Sequence, residues 1–325
     1  MSRSKDPLKI SLWTRLRVWW EGYDIRDVEK RLVERAQKAA QSEPVPAAPP
    51  AEIDAVLPVA PWDRRRIEIA QYIWGEGYCG PGGPEHVIAL SKLLAMSPEM
   101  SALVIGAGLG GPSRVLAQEF GVWITGVEES SQLAEAGMEL SHRAGLAKKA
   151  EICHYEPKNP EFDRNFDRAF AKEALFTVED KGELLLAIQK KLKADSLFLM
   201  TDYYISSPAV MSTPAFLEWR EKEPQRPYPV TGEDMLELIK RAGFTVRVNE
   251  DVSEQYNSMI ARAWSEADKA IAKLLSQGEE GRALVDVLMR EAELWSRRSK
   301  LLESNVLQVH RILASKKVTK TMSNW

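Results

Sequence analysis

The chain has 325 residues, 44% hydrophobic and 28% charged, an ordinary globular composition with enough length to bury a sizeable core. A formal net charge of -3 leaves no basic footprint for nucleic acid. Two distant cysteines, Cys79 and Cys153, argue against a disulfide framework and point to a reducing compartment. The four histidines, His86, His142, His154 and His310, fall at no ligand spacing, so no metal is expected. No apolar run reaches the ~20 residues that span a bilayer, and the opening Met-Ser-Arg-Ser-Lys does not lead into a secretory signal. The expected location is cytoplasmic.

In chain order, Leu8, Leu12, Leu16, Trp19 and Tyr23 recur every three or four positions, the pattern of an amphipathic helix. Lys9, Arg15 and Arg17 add positive charge, and Trp13, Trp19 and Trp20 add interfacial aromatics. Two readings stand: a helix docked on the domain or a partner subunit, or peripheral contact with an anionic membrane through residues 8–23. A charged helix over 25–41 completes an N-terminal extension (1–41). The prolines between Pro44 and Pro61 then mark an extended linker, 42–61. The remaining domain is expected over 62–325.

Within that domain helices and strands alternate. Helix is expected at Arg64–Trp74, a glycine-rich loop over 75–84, helix over 85–95 and a short buried strand over 102–106. Helix 111–120, strand 122–127, helix 130–144 and strand 150–155 follow. Next come strand 166–171, helix 178–192, strand 197–201, helix 232–242 and strand 244–248. Two long helical stretches, 254–277 and 282–303, precede a last strand near 309–314. The 254–303 insertion reads as a cover over a ligand site. Such alternation implies an α/β, doubly wound parallel sheet with helices on both faces.

The strongest local signal is Ala102-Leu-Val-Ile-Gly106-Ala-Gly108-Leu-Gly110-Gly111-Pro112, a strand entering a glycine turn that opens a helix. Glycines at Gly106, Gly108 and Gly110 let the backbone approach a ligand closely. Glu128 ends the next strand, where a carboxylate can accept ribose hydroxyls. The loop by itself fits a dinucleotide and S-adenosylmethionine about equally, since Gly106, Gly108 and Gly111 also satisfy G-x-G-x-x-G. A tight turn with no ligand is the bland alternative.

Context narrows the choice. The stretch from Phe166 through Lys172-Glu173-Ala-Leu-Phe-Thr177 to Thr201-Asp202-Tyr203 resembles the fourth strand, helix and fifth strand of class I methyltransferases. That resemblance implies S-adenosylmethionine as cofactor and a mostly parallel seven-stranded sheet with an antiparallel last strand. The loop Trp74-Gly75-Glu76-Gly-Tyr78-Cys-Gly80-Pro-Gly82-Gly83, with Trp295-Ser-Arg-Arg298 near the end, is similar to the phosphoethanolamine (phosphobase) methyltransferases. The resemblance places Tyr78, Gly80, Glu156 and Lys172 with the cofactor-binding residues, Glu156 toward adenine. It places Glu173 opposite a substrate amine, Tyr203 on the pocket wall and Arg298 at a phosphate.

The departures are specific. The family's catalytic tyrosine and histidine align here with Trp62 and Thr177, neither of which is a general base, so both are assigned to substrate contact. Val104 stands where the first strand usually ends in an acid. Methyl transfer then proceeds by orientation, or with Glu173 or Asp202 as base. Three functions remain open at this point. One is a methyltransferase acting on a small amine, phospho-amine or lipid-like acceptor. The others are a FAD- or NAD-binding oxidoreductase using the same loop, and a non-catalytic scaffold.

Overall fold

The computed structural model describes residues 62–316. The N-terminal helix and the linker expected over 1–61 lie outside the described residues. Seven strands form one sheet in the order β3-β2-β1-β4-β5-β7-β6. They are β1 (Ser101–Ile105), β2 (Trp123–Glu128), β3 (Ala150–His154), β4 (Phe166–Lys172), β5 (Leu192–Ile205), β6 (Phe244–Asp251) and β7 (Leu307–Lys316). Neighbours from β3 to β5 run parallel. The last strand is antiparallel to both its neighbours and is inserted between β5 and β6, from Leu197↔Ser315 to Ile205↔Leu307 on the β5 side.

The apolar run of β1 explains its central position. Ala102 and Val104 enter one core, while Leu103 and Ile105 enter the other, because successive side chains of a strand point to opposite faces. On the first face lie α1 (Arg64–Trp74), α2 (Gly83–Ser91), α3 (Gly111–Glu119) and the C-terminal helices α8 (Ser253–Trp264), α9 (Ala267–Leu275) and α10 (Glu279–Glu303). The second face packs on α5 (Lys181–Lys191) and α7 (Gly232–Arg241). The remaining helices are α4 (Ser131–Arg143) and α6 (Pro214–Lys222).

Helix starts follow local chemistry. Side-chain oxygens of Asp63, Asp180 and Thr231 accept the backbone N–H of Arg66 (2.8 Å), Glu183 (3.0 Å) and Asp234 (3.1 Å). The expected single helix over 254–277 is two helices, separated at Ser265 and Glu266. Trp74 of α1 packs against two of the C-terminal helices, with its ring centroid 4.6 Å from that of Trp295 on α10 and 6.4 Å from that of Trp264 on α8.

Candidate active site

The sheet order reverses at β1, whose neighbours are β2 and β4, and a cavity opens at the carboxyl ends of these strands. That is where open α/β sheets bind ligands. Its floor is the turn after β1. Gly106, Gly108 and Gly110 hold positive φ of 68°, 54° and 77°, and a Cβ on Gly106 would sit 2.5 Å from the Cβ of Ala174. The N–H groups of Gly106 and Ala107 both donate to the carbonyl of Val127, at 2.9 and 3.0 Å, so the turn is locked to β2.

Glu128 follows directly from this lock. Gly108 N–H donates to its Oε2 at 2.8 Å and Ser130 N–H to its Oε1 at 3.0 Å. Burial pushes the carboxyl up, against these two bonds, which favour the charged form. Each oxygen retains acceptor capacity toward the cavity it lines.

The loop between α1 and α2 makes the facing wall. Gly111 N–H donates to the carbonyl of Gly77 at 2.8 Å, pulling the loop against the start of α3. A Cβ on Gly80 would stand 3.2 Å from Oε2 of Glu173 and 3.5 Å from the Trp295 ring, so this glycine admits two cavity side chains. Cys79 is also in the wall, and burial pushes its thiol up to about 12, which leaves it protonated and unreactive. Trp62 lies over the guanidinium of Arg66, 3.9 Å from ring centre to Cζ, and Arg66 Nε donates to Glu291 Oε1 of α10 at 2.6 Å.

The far end is lined by Lys172, Glu173, Phe176, Thr177, Trp295 and Arg298. Lys172 and Glu173 form an ion pair at the tip of β4. Glu173 has a φ of 53°, a left-handed conformation uncommon for glutamate, held by its N–H bond to the Thr201 carbonyl at 2.8 Å. Arg298 is clamped by Glu223, with Nε donating to Oε1 at 2.8 Å and Nη2 to Oε2 at 2.7 Å.

The structure thus gathers Trp62, Tyr78, Gly80, Gly106, Gly108, Glu128, Lys172, Glu173, Thr177 and Arg298 around one cavity. Four expected site residues are placed elsewhere. Asp202, 1% exposed, lies behind the wall, where its carboxylate accepts the N–H of Leu175 at 2.6 Å and of Tyr203 at 2.8 Å. Tyr203 packs edge-on against Phe176 and Tyr256, behind the lining residues. Gly110 caps α3, where a Cβ would collide with Ile152 at 2.1 Å. Glu156 is exposed and sits 3.8 Å from His154. Sequence reasoning missed Arg66, Glu223 and Glu291. Glu223 and Glu291 meet their arginines across more than seventy residues, a pairing no local pattern records.

No family model matches the sequence. Phosphoethanolamine N-methyltransferase 1 of Arabidopsis thaliana is 25% identical over 205 residues, which are 63% of this chain and 40% of that relative. The chain therefore spans well under half the length of this relative. The phosphoethanolamine N-methyltransferase of Plasmodium falciparum is 24% identical over 60% of this chain and 72% of its own. Among solved structures, phosphoethanolamine N-methyltransferase 2 of Haemonchus contortus, in complex with phosphomonomethylethanolamine and S-adenosylhomocysteine, superposes with a TM-score of 0.67. Its identity is 21%, with 78% of this chain and 57% of that chain covered. The chain has the class I fold of S-adenosylmethionine-dependent methyltransferases, and its sequence relatives are enzymes of that class. Within the class, these relatives are phosphoethanolamine N-methyltransferases.

Proposed function

We propose that this protein is an S-adenosylmethionine-dependent methyltransferase acting on a small amine. The observation that carries the reading is Glu128: a half-buried carboxylate at the end of β2, fixed by the N–H of Gly108 and lining the cavity at the switch point. Such a group fits the two hydroxyls of a nucleoside, and its charge suits a cofactor that is itself a cation. S-adenosylmethionine, when bound, supplies an electrophilic methyl group on a sulfonium. The backbone of Gly106 and Gly108 would lie along it, with Tyr78 and Gly80 on the opposite wall.

The chain's own tasks are alignment and exclusion of water. Glu173 presents a carboxylate beside Lys172 at the acceptor end, placed to orient an amine and to take a proton from it. Phe176 and Trp295 supply apolar faces around it. Trp62 and Thr177 contribute contact surface rather than proton transfer. Asp202, bound to two backbone N–H groups behind the wall, is assigned to holding the turn and not to base catalysis.

The test is calorimetric titration with S-adenosylmethionine and S-adenosylhomocysteine. Micromolar binding that is lost in Glu128→Ala is the expected result. Absence of binding to either ligand by the unaltered protein overturns the reading.

A further inference from the structure

We infer that Glu223 sets the acceptor specificity of this cavity by cancelling Arg298, so that the acceptor is a small amine bearing no phosphate group. The word acceptor here rests on the methyltransferase reading; the exclusion of phosphate rests on the geometry of the pair. An arginine fork grips a phosphate with the same parallel N–H donors that it offers a carboxylate. In Arg298 two of those donors, Nε and Nη2, are already bound to the two oxygens of Glu223 at 2.8 and 2.7 Å.

The pair is buried and held from both sides. Glu223 also accepts the indole N–H of Trp219 at 2.5 Å, and the guanidinium carbon of Arg298 lies 4.7 Å from the Trp295 ring centre. It lies 5.4 Å from the ring of Tyr203 and 5.5 Å from that of Phe176. A phosphate dianion reaching Arg298 would meet the Glu223 carboxylate, which also lines the cavity, as a like charge with little water between them.

Among the described residues, each other lining cation faces a carboxylate. Arg66 faces Glu291 and Lys172 faces Glu173, while Glu128 adds negative charge. The acceptor end is otherwise walled by Glu173, Phe176 and Trp295, a carboxylate among apolar side chains, which suits an amine better than an anion.

The experiment compares the unaltered protein with Glu223→Gln, which keeps the side chain's shape and removes its charge. Both are titrated in phosphate-free buffer with ethanolamine, phosphoethanolamine and inorganic phosphate, with and without S-adenosylhomocysteine. The expected result is that Glu223→Gln binds phosphoethanolamine and phosphate at least ~10-fold more tightly than the unaltered protein. Equal or weaker anion binding by the variant overturns the inference. If Glu223→Gln does not fold, the unaltered protein decides: phosphoethanolamine bound more tightly than ethanolamine overturns the proposal, and the reverse order supports it. The S-adenosylhomocysteine titration reads the parent function separately. Its failure removes the methyltransferase reading, while the phosphate titrations still report whether Glu223 silences Arg298.

Discussion

At the scale of single residues, two acids that look equivalent in sequence, Glu173 and Asp202, end in different places: one at the cavity, the other behind its wall. Glu173 follows the last residue of β4, strained into left-handed φ and aimed at the cavity; Asp202 is on β5, bonded to backbone behind the wall. Left-handed φ on a non-glycine residue costs about 1–3 kcal/mol and persists where the surroundings demand it, which accords with Glu173 having a functional task. Glu173→Gln is expected to lower methyl transfer by ~100-fold, while S-adenosylhomocysteine affinity stays within about threefold, as calorimetry and a turnover assay would show. Asp202→Ala is expected instead to destabilise the protein by about 1–3 kcal/mol in urea unfolding, because the N–H groups of Leu175 and Tyr203 lose a buried acceptor. The sequence resemblance could name both residues. It could not tell them apart, since which side of a strand end faces a cavity depends on the sheet's neighbours.

At the scale of elements, α1 and α10 are fastened to each other by a buried ion pair. Arg66 and Glu291 are 225 positions apart, with side chains only 6% and 3% exposed. Removing one partner of such a pair leaves a buried charge alone, so Glu291→Ala is expected to cost about 3–5 kcal/mol. The double variant Arg66→Met, Glu291→Leu is expected to recover part of that loss; a double variant as unstable as the sum of the singles would contradict it.

Elements were legible where periodicity and punctuation coincided. Arg64–Trp74 is legible to the residue, and Gly232–Arg241 to within one, because Asp63 and Thr231 mark their starts. The short α6, begun by Pro214 after Thr213, had too little periodicity to stand out from its loop. Strand β5 runs from Leu192 to Ile205 rather than 197–201, because its ends pair with β4 and β7 where the sequence is less apolar. The position of β7 between β5 and β6 belongs to the sheet as a whole and has no local signature.

At the scale of the whole molecule, stability is linked to protons taken up or released on unfolding, and His86 on α2 is one such link. Its ring packs under the loop, 2.6 Å from where a Cβ on Gly82 would stand. Burial lowers its affinity for a proton, placing it near pH 4 instead of 6.5; Lys172 and Arg311 act in the same direction and Glu173 against it. The folded protein therefore keeps His86 neutral where the unfolded chain already binds a proton. Above about pH 6.5 the two states hold the same number, and there this residue contributes no pH dependence. Between 6.5 and about 4 the unfolded state holds more, so this residue's contribution to stability falls as the pH falls through that window. Asp202, whose carboxyl burial pushes up to about 7, acts in the opposite direction across the same window, and a variant separates the histidine's share. His86→Gln is expected to raise the urea midpoint at pH 5 relative to that at pH 7, compared with the unaltered protein. An unchanged slope in that interval would mean that the ring is protonated in the folded protein, with Glu173 outweighing burial.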